Sequence, residues 1–185
     1  PLVAALILAF IGIWLRVKME GATKQQIADT LQTILRANTE ALRSWSVTMK
    51  SDAENVAEDE RVLELVAGLL QQAKSSPLVQ ATLLMSPQLS ALRAHLKPVL
   101  ERRGFTGFVV LDTNFMVLAS ARDQLVGMQN PPGYAEQWTP CLAGKVLVTR
   151  PFPSVALLPD AKGNLRAGVP TMFAVAPVRS ADGPV

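Results

Sequence analysis

The amino-acid sequence predicts an α+β chain in which helices come first and an antiparallel sheet follows. Apolar residues recur at helical spacing as far as Arg103. From Gly104 onward this periodicity disappears, and eight of the 11 glycines and nine of the 13 prolines lie in this second part. The chain also opens with an uncharged apolar run from Leu2 to Leu15. Because a domain typically takes about 100 to 200 residues, we expect 185 residues to form one domain with an added N-terminal element.

The composition excludes several classes of protein. The chain is 49% apolar and 18% charged, against roughly 25% charged in an ordinary soluble domain, which excludes a disordered chain. Its net charge of +3 is scattered rather than clustered on one face, so we expect no nucleic-acid partner. A single cysteine, Cys141, and a single histidine, His95, exclude an intramolecular disulfide and a Cys/His zinc site. We therefore expect no cofactor.

Residues 1–18 are predicted to be the C-terminal part of a transmembrane helix. Fifteen helical residues rise about 22 Å, less than the roughly 30 Å of a bilayer's hydrocarbon core, so we expect the sequence to be a piece of a longer protein. A signal-peptide core is the alternative, but no small-residue cleavage site is present after it. Arg16 and Lys18 favour a cytoplasmic side for the residues after them. Because the positive-inside rule compares two flanks, charge alone leaves the orientation open.

Residues 19–57 are predicted to form a long stalk helix. Its apolar positions fall three or four residues apart, which places them on one face: Ile27, Leu31, Ile34, Leu35, Leu42, Trp45, Met49, Ala53 and Val56. We expect Leu31, Leu42 and Trp45 to face inward. Asn38 lies within this stripe, where an Asn either fixes the register between two chains of a homodimer or is simply solvated. Both interpretations of Asn38 remain open.

Two further helices are predicted in residues 58–103. Acidic residues precede the first, which should run from about Asp59 to Lys74 and end before Ser76-Pro77. Ser86-Pro87 is an N-cap and first-turn signature for the second, from about Gln88 to Arg103. The same signature at Ser76-Pro77 predicts a helix start there. Pro98 predicts a kink or an early break, and His95, which lies off the apolar stripe, is expected to be solvated or at the rim.

The sheet part comprises residues 104–185. Phe105–Leu111 and Phe115–Ser120 are predicted strands of a hairpin, joined by the turn residues Asp112-Thr113-Asn114. A further strand is expected at Lys145–Arg150.

Two turns, at residues 160–163 and 180–183, flank a predicted buried strand from Pro170 to Val178. The sequence stops at Val185, directly after the second turn. We therefore expect a truncated sheet that lacks the strand pairing with Pro170–Val178, and an unpaired edge in its place.

The order of these elements resembles the extracytoplasmic Cache sensor domains of bacterial transmembrane receptors. The similarity covers nearly the whole chain. It is carried by G-F-x-G-F-V-V-L-D-x-N-F-x-V-L-A-S at 104–120, Leu125-Val126-Gly127, and L-P-D-x-x-G-x-x-x-x-G-V-P-T-M-F-x-x-x-P-V at 158–178. The resemblance implies a PAS-like antiparallel sheet on a long N-terminal helix. It also implies an inner-membrane receptor with a single N-terminal span, whose sensor domain binds a small molecule outside the membrane and moves the stalk.

The resemblance also indicates where a ligand site should lie. In a PAS-like sheet the loops between the first hairpin and the later strands form the pocket wall, which here supplies Arg122, Asp123, Tyr134, Trp138 and Arg150. The family's amino-acid-binding signature, an Arg followed by Trp and Tyr, is absent. Because arginine clamps carboxylates and aromatic rings supply stacking area, a small organic anion is the expected ligand. The alternative is that these residues are surface charges and core aromatics.

Catalysis is not expected within these residues. No Gly-x-Ser-x-Gly elbow, phosphate loop or metal-ligand spacing occurs, and the only histidine is remote in sequence from Cys141. An output kinase or cyclase outside the sequence is compatible with the resemblance. The competing hypothesis is a membrane-anchored helical module that dimerises or acts as a scaffold and has no small-molecule site.

Overall fold

The computed structural model describes the backbone of residues 2–160, 162–180 and 183–184, and the side chains of residues 26, 29–160 and 162–179. The chain forms two compact units, residues 1–47 and 48–185. The helices are α1 Leu2–Ala57, α2 Glu60–Ser75, α3 Val79–Leu84, α4 Pro87–Arg103 and α5 Tyr134–Leu142, with a 3₁₀ turn at Asp123–Leu125. Helices precede strands, with α5 as the exception, so the α+β class is confirmed.

The strands are short and pair antiparallel in twos. They are β1 Val109–Leu111, β2 Val117–Ser120, β3 Leu147–Val148, β4 Phe152–Pro153, β5 Leu158–Pro159, β6 Leu165–Arg166, β7 Pro170–Thr171, β8 Ala174–Val175, β9 Arg179–Ser180 and β10 Gly183–Pro184. β1 pairs with β2, β3 with β8, β4 with β7, β5 with β6 and β9 with β10. The predicted hairpin is therefore confirmed, and so is the turn predicted at residues 160–163, which joins β5 to β6. The turn predicted at residues 180–183 includes positions outside the described residues. Instead of the one antiparallel sheet that was expected, the described strands form separate two-stranded sheets.

Helix α1 runs without a break through the predicted stalk. Its apolar stripe is not buried within one chain, because Leu31, Leu42 and Trp45 are 56%, 65% and 43% exposed. The prediction that these side chains face inward is therefore wrong for the single chain. Among the described residues, no helix has the length and apolarity to cross a membrane. The anchor predicted for residues 1–18 depends on side chains outside the described residues.

The helix ends follow their capping residues. The Asp59 side chain caps α2 by accepting from the Val62 N–H at 3.0 Å, and Ser86 caps α4 by accepting from the Gln88 N–H at 3.2 Å. Gly104, at φ +71°, ends α4 in the left-handed conformation that glycine adopts without strain. Pro98 lies inside α4 without ending it, so the predicted early break is wrong. Burial of Leu92 and Leu96 on the same helix compensates for its missing hydrogen bond.

Other predicted boundaries shift. Ser76 accepts from the Leu78 N–H at 3.2 Å and does not cap a helix, since α3 begins only at Val79. The predicted strand at Lys145–Arg150 is reduced to β3. The predicted strand at Pro170–Val178 is interrupted at residues 172 and 173 and becomes β7 and β8. The prediction that its pairing strand is missing is wrong, because β7 pairs with β4 and β8 pairs with β3. Helix α5 lies where no helix was predicted.

The core of residues 48–185 forms where α2 and α4 pack against β2. All four residues of β2 are buried, and Leu118 joins Leu69 and Leu92 in one apolar cluster. The hairpin turn is fixed by Asp112, whose Oδ1 accepts from the Asn114 N–H at 2.9 Å and the Met116 N–H at 2.8 Å. This core holds the β1–β2 hairpin against the helices.

His95 lies at the rim, as predicted, and has a partner. Its Nε2 lies 3.0 Å from Asp59 Oδ2. This hydrogen bond, followed by the backbone bond from Val62, lowers the pKa of the Asp59 carboxyl against the opposing effect of desolvation. The carboxylate thus joins the α2 N-terminus to α4.

Gly127 tests how tightly the segment after β2 is packed. A Cβ there would lie 2.9 Å from the Gln80 Cα, and the residue has φ +78°. We expect Gly127→Ala to lower the free energy of unfolding by about 1–2 kcal/mol through strain and about 1–3 kcal/mol more through overpacking. Gly163→Ala is the matched control, since φ is +83° but nothing lies within 4 Å. Equal losses in denaturant titrations of the two variants would contradict this account.

Candidate functional site

A cavity of about 270 Å³ lies within residues 48–185. Two extended segments, residues 105–112 and 171–178, contribute every one of their residues to its lining. The last turns of α1, the C-terminal half of α4 and one face of α5 also contribute, together with the end of β2 and the segment that follows it. Most of these side chains are apolar. The volume is near the lower end for small-molecule sites, and the mainly apolar wall is typical of them.

An aromatic cluster forms one side of this cavity. Tyr134 and Trp138 are four residues apart on α5, so their rings share one face of the helix. The two rings stack with centroids 4.8 Å apart, and Phe173 meets them edge-on at 5.4 and 5.1 Å. Phe152 packs on the same cluster. The cluster gives the cavity a rigid stacking surface.

Arg122 is a positively charged lining residue that forms no ion pair with the described residues. It is half-buried and lines the cavity. Of the other charged lining residues, Asp112 accepts the backbone hydrogen bonds of the hairpin turn, and Asp52 Oδ1 forms an ion pair with Arg103 Nη2 at 3.0 Å. Among the described residues, the Arg122 guanidinium is the one charged group of the lining with neither a hydrogen bond nor an ion pair. A guanidinium beside apolar walls is suited to clamp a carboxylate.

Two buried polar atoms of the lining residues also have no hydrogen-bond partner in the described part of the chain. They are Asp52 Oδ2 and Trp138 Nε1, on side chains that are 7% and 6% exposed. An unsatisfied buried donor or acceptor costs about 1–3 kcal/mol. One acceptor and one donor are thus available beside the cavity.

The structure brings together three of the five predicted site residues. Arg122, Tyr134 and Trp138 line the cavity. Asp123 instead pairs with Arg93 on α4 at 2.6 Å and is 70% exposed. Arg150 is exposed and does not line the cavity. The two adjacent residues Arg122 and Asp123 therefore lie in different environments, one at the cavity and the other in an ion pair with α4.

Sequence reasoning missed Asp52 and Phe173. Asp52 interrupts the apolar face at the end of α1, beside Ala53 and Val56, and an acidic residue at such a position was an available signal. Phe173 had no such signal, because it belongs to an apolar run whose members are equivalent in sequence.

Cys141 also lines the cavity, but its thiol is a poor nucleophile. Burial raises the pKa of its thiol, with Arg179 acting in the opposite direction. A raised pKa reduces the thiolate that nucleophilic attack requires. In the described part of the chain, no group of three or more His, Cys, Asp or Glu side chains is placed to hold a metal ion.

Comparisons with protein-family models, with curated proteins and with solved structures find no match to this chain.

The burial of Tyr134 is directly measurable, because it is the only tyrosine. Desolvation raises its pKa to about 12. We expect tyrosinate absorbance to appear near that pH in the folded chain and near 10 in denaturant. Since the folded pKa lies above the unfolded one, the stability that Tyr134 contributes is complete below pH 10 and is lost as the pH rises through 12. Absorbance that titrates near pH 10 in the native protein would contradict the buried placement.

Proposed function

We propose that the chain is the extracytoplasmic ligand-sensing region of a bacterial membrane-bound signalling receptor, of the Cache type with a PAS-like sheet. The observation that carries the proposal is a cavity whose lining combines Arg122, a cation without an ion pair among the described residues, with mainly apolar and aromatic side chains. The uncharged run Leu2–Leu15 supports attachment to the inner membrane. Helix α1 supports the relay, because its residues 52, 53, 56 and 57 line the same cavity. A ligand there contacts the helix that continues toward residue 2.

The proposed ligand is a small organic anion. Its carboxylate pairs with Arg122, and its apolar part lies against Tyr134 and Trp138. The ligand is a monoanion in this proposal, because Arg122 is the one cation among the lining residues of the described part. Of the two lining carboxylates, Asp52 is paired with Arg103 and Asp112 accepts the backbone hydrogen bonds of the hairpin turn. The chain itself carries out no catalysis in this proposal.

A thermal-shift screen of organic acids, amines and amino acids on the chain in mild detergent tests this proposal. We expect a carboxylate to raise the melting temperature. Arg122→Ala should then lower the affinity for this carboxylate by roughly ten- to a hundredfold, because a hydrogen-bonded charge pair contributes about 1.5–3 kcal/mol.

Arg150→Ala is the matched control, since it removes an arginine that does not line the cavity. The control should bind like the unchanged chain. No stabilising carboxylate at millimolar concentration, or equal losses in the two variants, would refute the anion site.

A second candidate is supported by the exposed stripe on α1. We propose that this stripe, defined by Leu31, Ile34, Leu35, Leu42 and Trp45, is the seam of a homodimer. All five side chains are at least 43% exposed in the single chain. Together with Asn38, Leu31, Leu35, Leu42 and Trp45 follow one another at spacings of four, three, four and three residues, which matches helices paired side by side. Asn38 lies in the middle of the seam. Dimerisation alone, without a ligand, is the scaffold function.

The seam is tested by Leu42→Glu, which places a charge among paired apolar side chains. We expect this variant to sediment as a monomer where the unchanged chain sediments as a dimer. Val47→Glu is the control: Val47 is also apolar and 67% exposed, but it lies nine residues from Asn38 and hence half a turn away from the seam. A dimer that survives Leu42→Glu, or that Val47→Glu disrupts equally, counts against the seam.

A further inference from the structure

The cavity follows the length of the β1–β2 hairpin. Every residue from 105 to 112 lines it, and so does Phe115 in the turn. The exposed residues 113 and 114 at the tip of the turn are not part of the lining. Consecutive residues of an antiparallel strand are about 3.4 Å apart, so the hairpin from Gly107 to Leu111 spans about 14 Å. The lining is therefore elongated along β1.

Arg122 lies at the open end of the hairpin. The Ala121 N–H donates to Phe108 O at 3.1 Å, which pairs these two residues across the hairpin. Arg122 follows Ala121, so its backbone lies opposite Gly107, at the end away from the turn. Arg122 is also the one cation of the described lining. A carboxylate that pairs with it is therefore bound toward the open end.

Phe115 lies at the opposite end, where the hairpin turns. Its N–H donates to Asp112 O at 3.0 Å. Its ring is half-buried and packs, as Leu111 does, on the aromatic cluster. The Asp112 carboxylate is also at this end, where it would repel a second negative charge on a ligand. The turn end therefore suits a hydrocarbon and not a second carboxylate.

The backbone at Phe115 is strained. Its φ is +60°, in the left-handed region that bulky side chains rarely adopt and that glycine adopts freely. The carbonyl of Phe115 accepts from the Asn130 N–H at 2.9 Å, and Asn130 has φ +44°. Strain of this kind in a cavity wall points to a function for the side chain that is held there. At Phe115 that side chain is the ring at the end of the lining.

We propose that the ligand is an elongated monocarboxylate with a hydrocarbon tail, of the kind of a medium-chain fatty acid, and that the Phe115 ring sets the longest tail that fits. The carboxylate pairs with Arg122, and the tail extends along β1 past Leu111 to the ring. Burial of the tail against the apolar wall supplies most of the affinity. The inference rests on the proposed function, because it assigns a length and a polarity to the anion of the same site.

A series of straight-chain acids tests the inference: acetate, butyrate, hexanoate, octanoate, decanoate, dodecanoate and tetradecanoate. Binding is measured by titration calorimetry on the full chain in mild detergent. We expect affinity to rise by about fourfold for each added methylene, the equivalent of about 0.8 kcal/mol per buried CH₂. The rise should stop near decanoate, whose extended length is about that of the hairpin.

Two substitutions at Phe115 should move this limit in opposite directions. Phe115→Gly keeps the left-handed backbone without strain and removes the ring, so the gain in affinity should continue to dodecanoate. Phe115→Trp introduces a larger ring, so the gain should stop at a shorter acid than in the unchanged chain. Opposite shifts are not expected of a ring that only stabilises the fold.

Asn130→Gly is the matched control. It places glycine at the other left-handed position, which does not line the cavity. Its dependence on chain length should equal that of the unchanged chain. Because the acids enter the detergent equally with every variant, a difference between variants reports on the cavity.

The outcomes separate this inference from the anion site. If octanoate binds no more tightly than acetate, or if neither substitution at Phe115 moves the limit, the elongated ligand is wrong. The same holds if other organic acids bind and the straight-chain acids do not, and in that case the anion site stands. If no organic acid binds at all, the anion site itself is refuted, and this inference with it.

Discussion

The burial of β2 is the constraint on which the rest of the domain depends. β2 packs on α2 and α4 through Leu118 and on the opposite side through Val117. Arg93 on α4 fixes the end of β2, because its Nε donates to Ser120 O at 2.8 Å while its Nη2 pairs with Asp123. With β2 held in this way, β1 has one edge paired and the other directed into the cavity. The position of the hairpin therefore places the site.

Features governed by neighbouring residues were predictable from the sequence. The caps at Asp59 and Ser86, the glycine at the end of α4 and the Asp112 turn each depend on contacts within a few residues. Helix α5 depends on more distant ones. It contains Pro140 and follows Gly133, both of which argue against a helix in sequence, and the packing of Tyr134 and Trp138 on Phe152 and Phe173 stabilises it. The predicted strand lengths were wrong for a related reason. The Phe173 N–H donates to the Thr149 hydroxyl oxygen instead of to a strand carbonyl, and this contact is distant in sequence. The β-propensity of residues 172 and 173 does not reveal it.

The site was only partly predictable because sequence proximity does not fix side-chain direction. Arg122 and Asp123 are adjacent, yet the backbone bends between β2 and the 3₁₀ turn, so that one lines the cavity and the other reaches α4. Tyr134 and Trp138 stayed together because a helix keeps residues four apart on one face. Arg150 follows β3 on an exposed segment, and nothing in its neighbours distinguishes it from Arg122.

The cavity combines features that stability alone does not explain. Asp52 is nearly buried, and one of its carboxylate oxygens pairs with Arg103. This ion pair joins the C-terminal part of α1 to the last turn of α4. The other oxygen has no hydrogen-bond partner in the described part of the chain. A well-packed apolar residue would avoid that cost. The ion pair instead places a charged group of α1 beside the cavity. A ligand that donates a hydrogen bond to the free oxygen would satisfy it. Such a ligand would thereby contact Asp52 on the C-terminal part of α1, which is how the proposed sensor function would connect ligand binding to this helix.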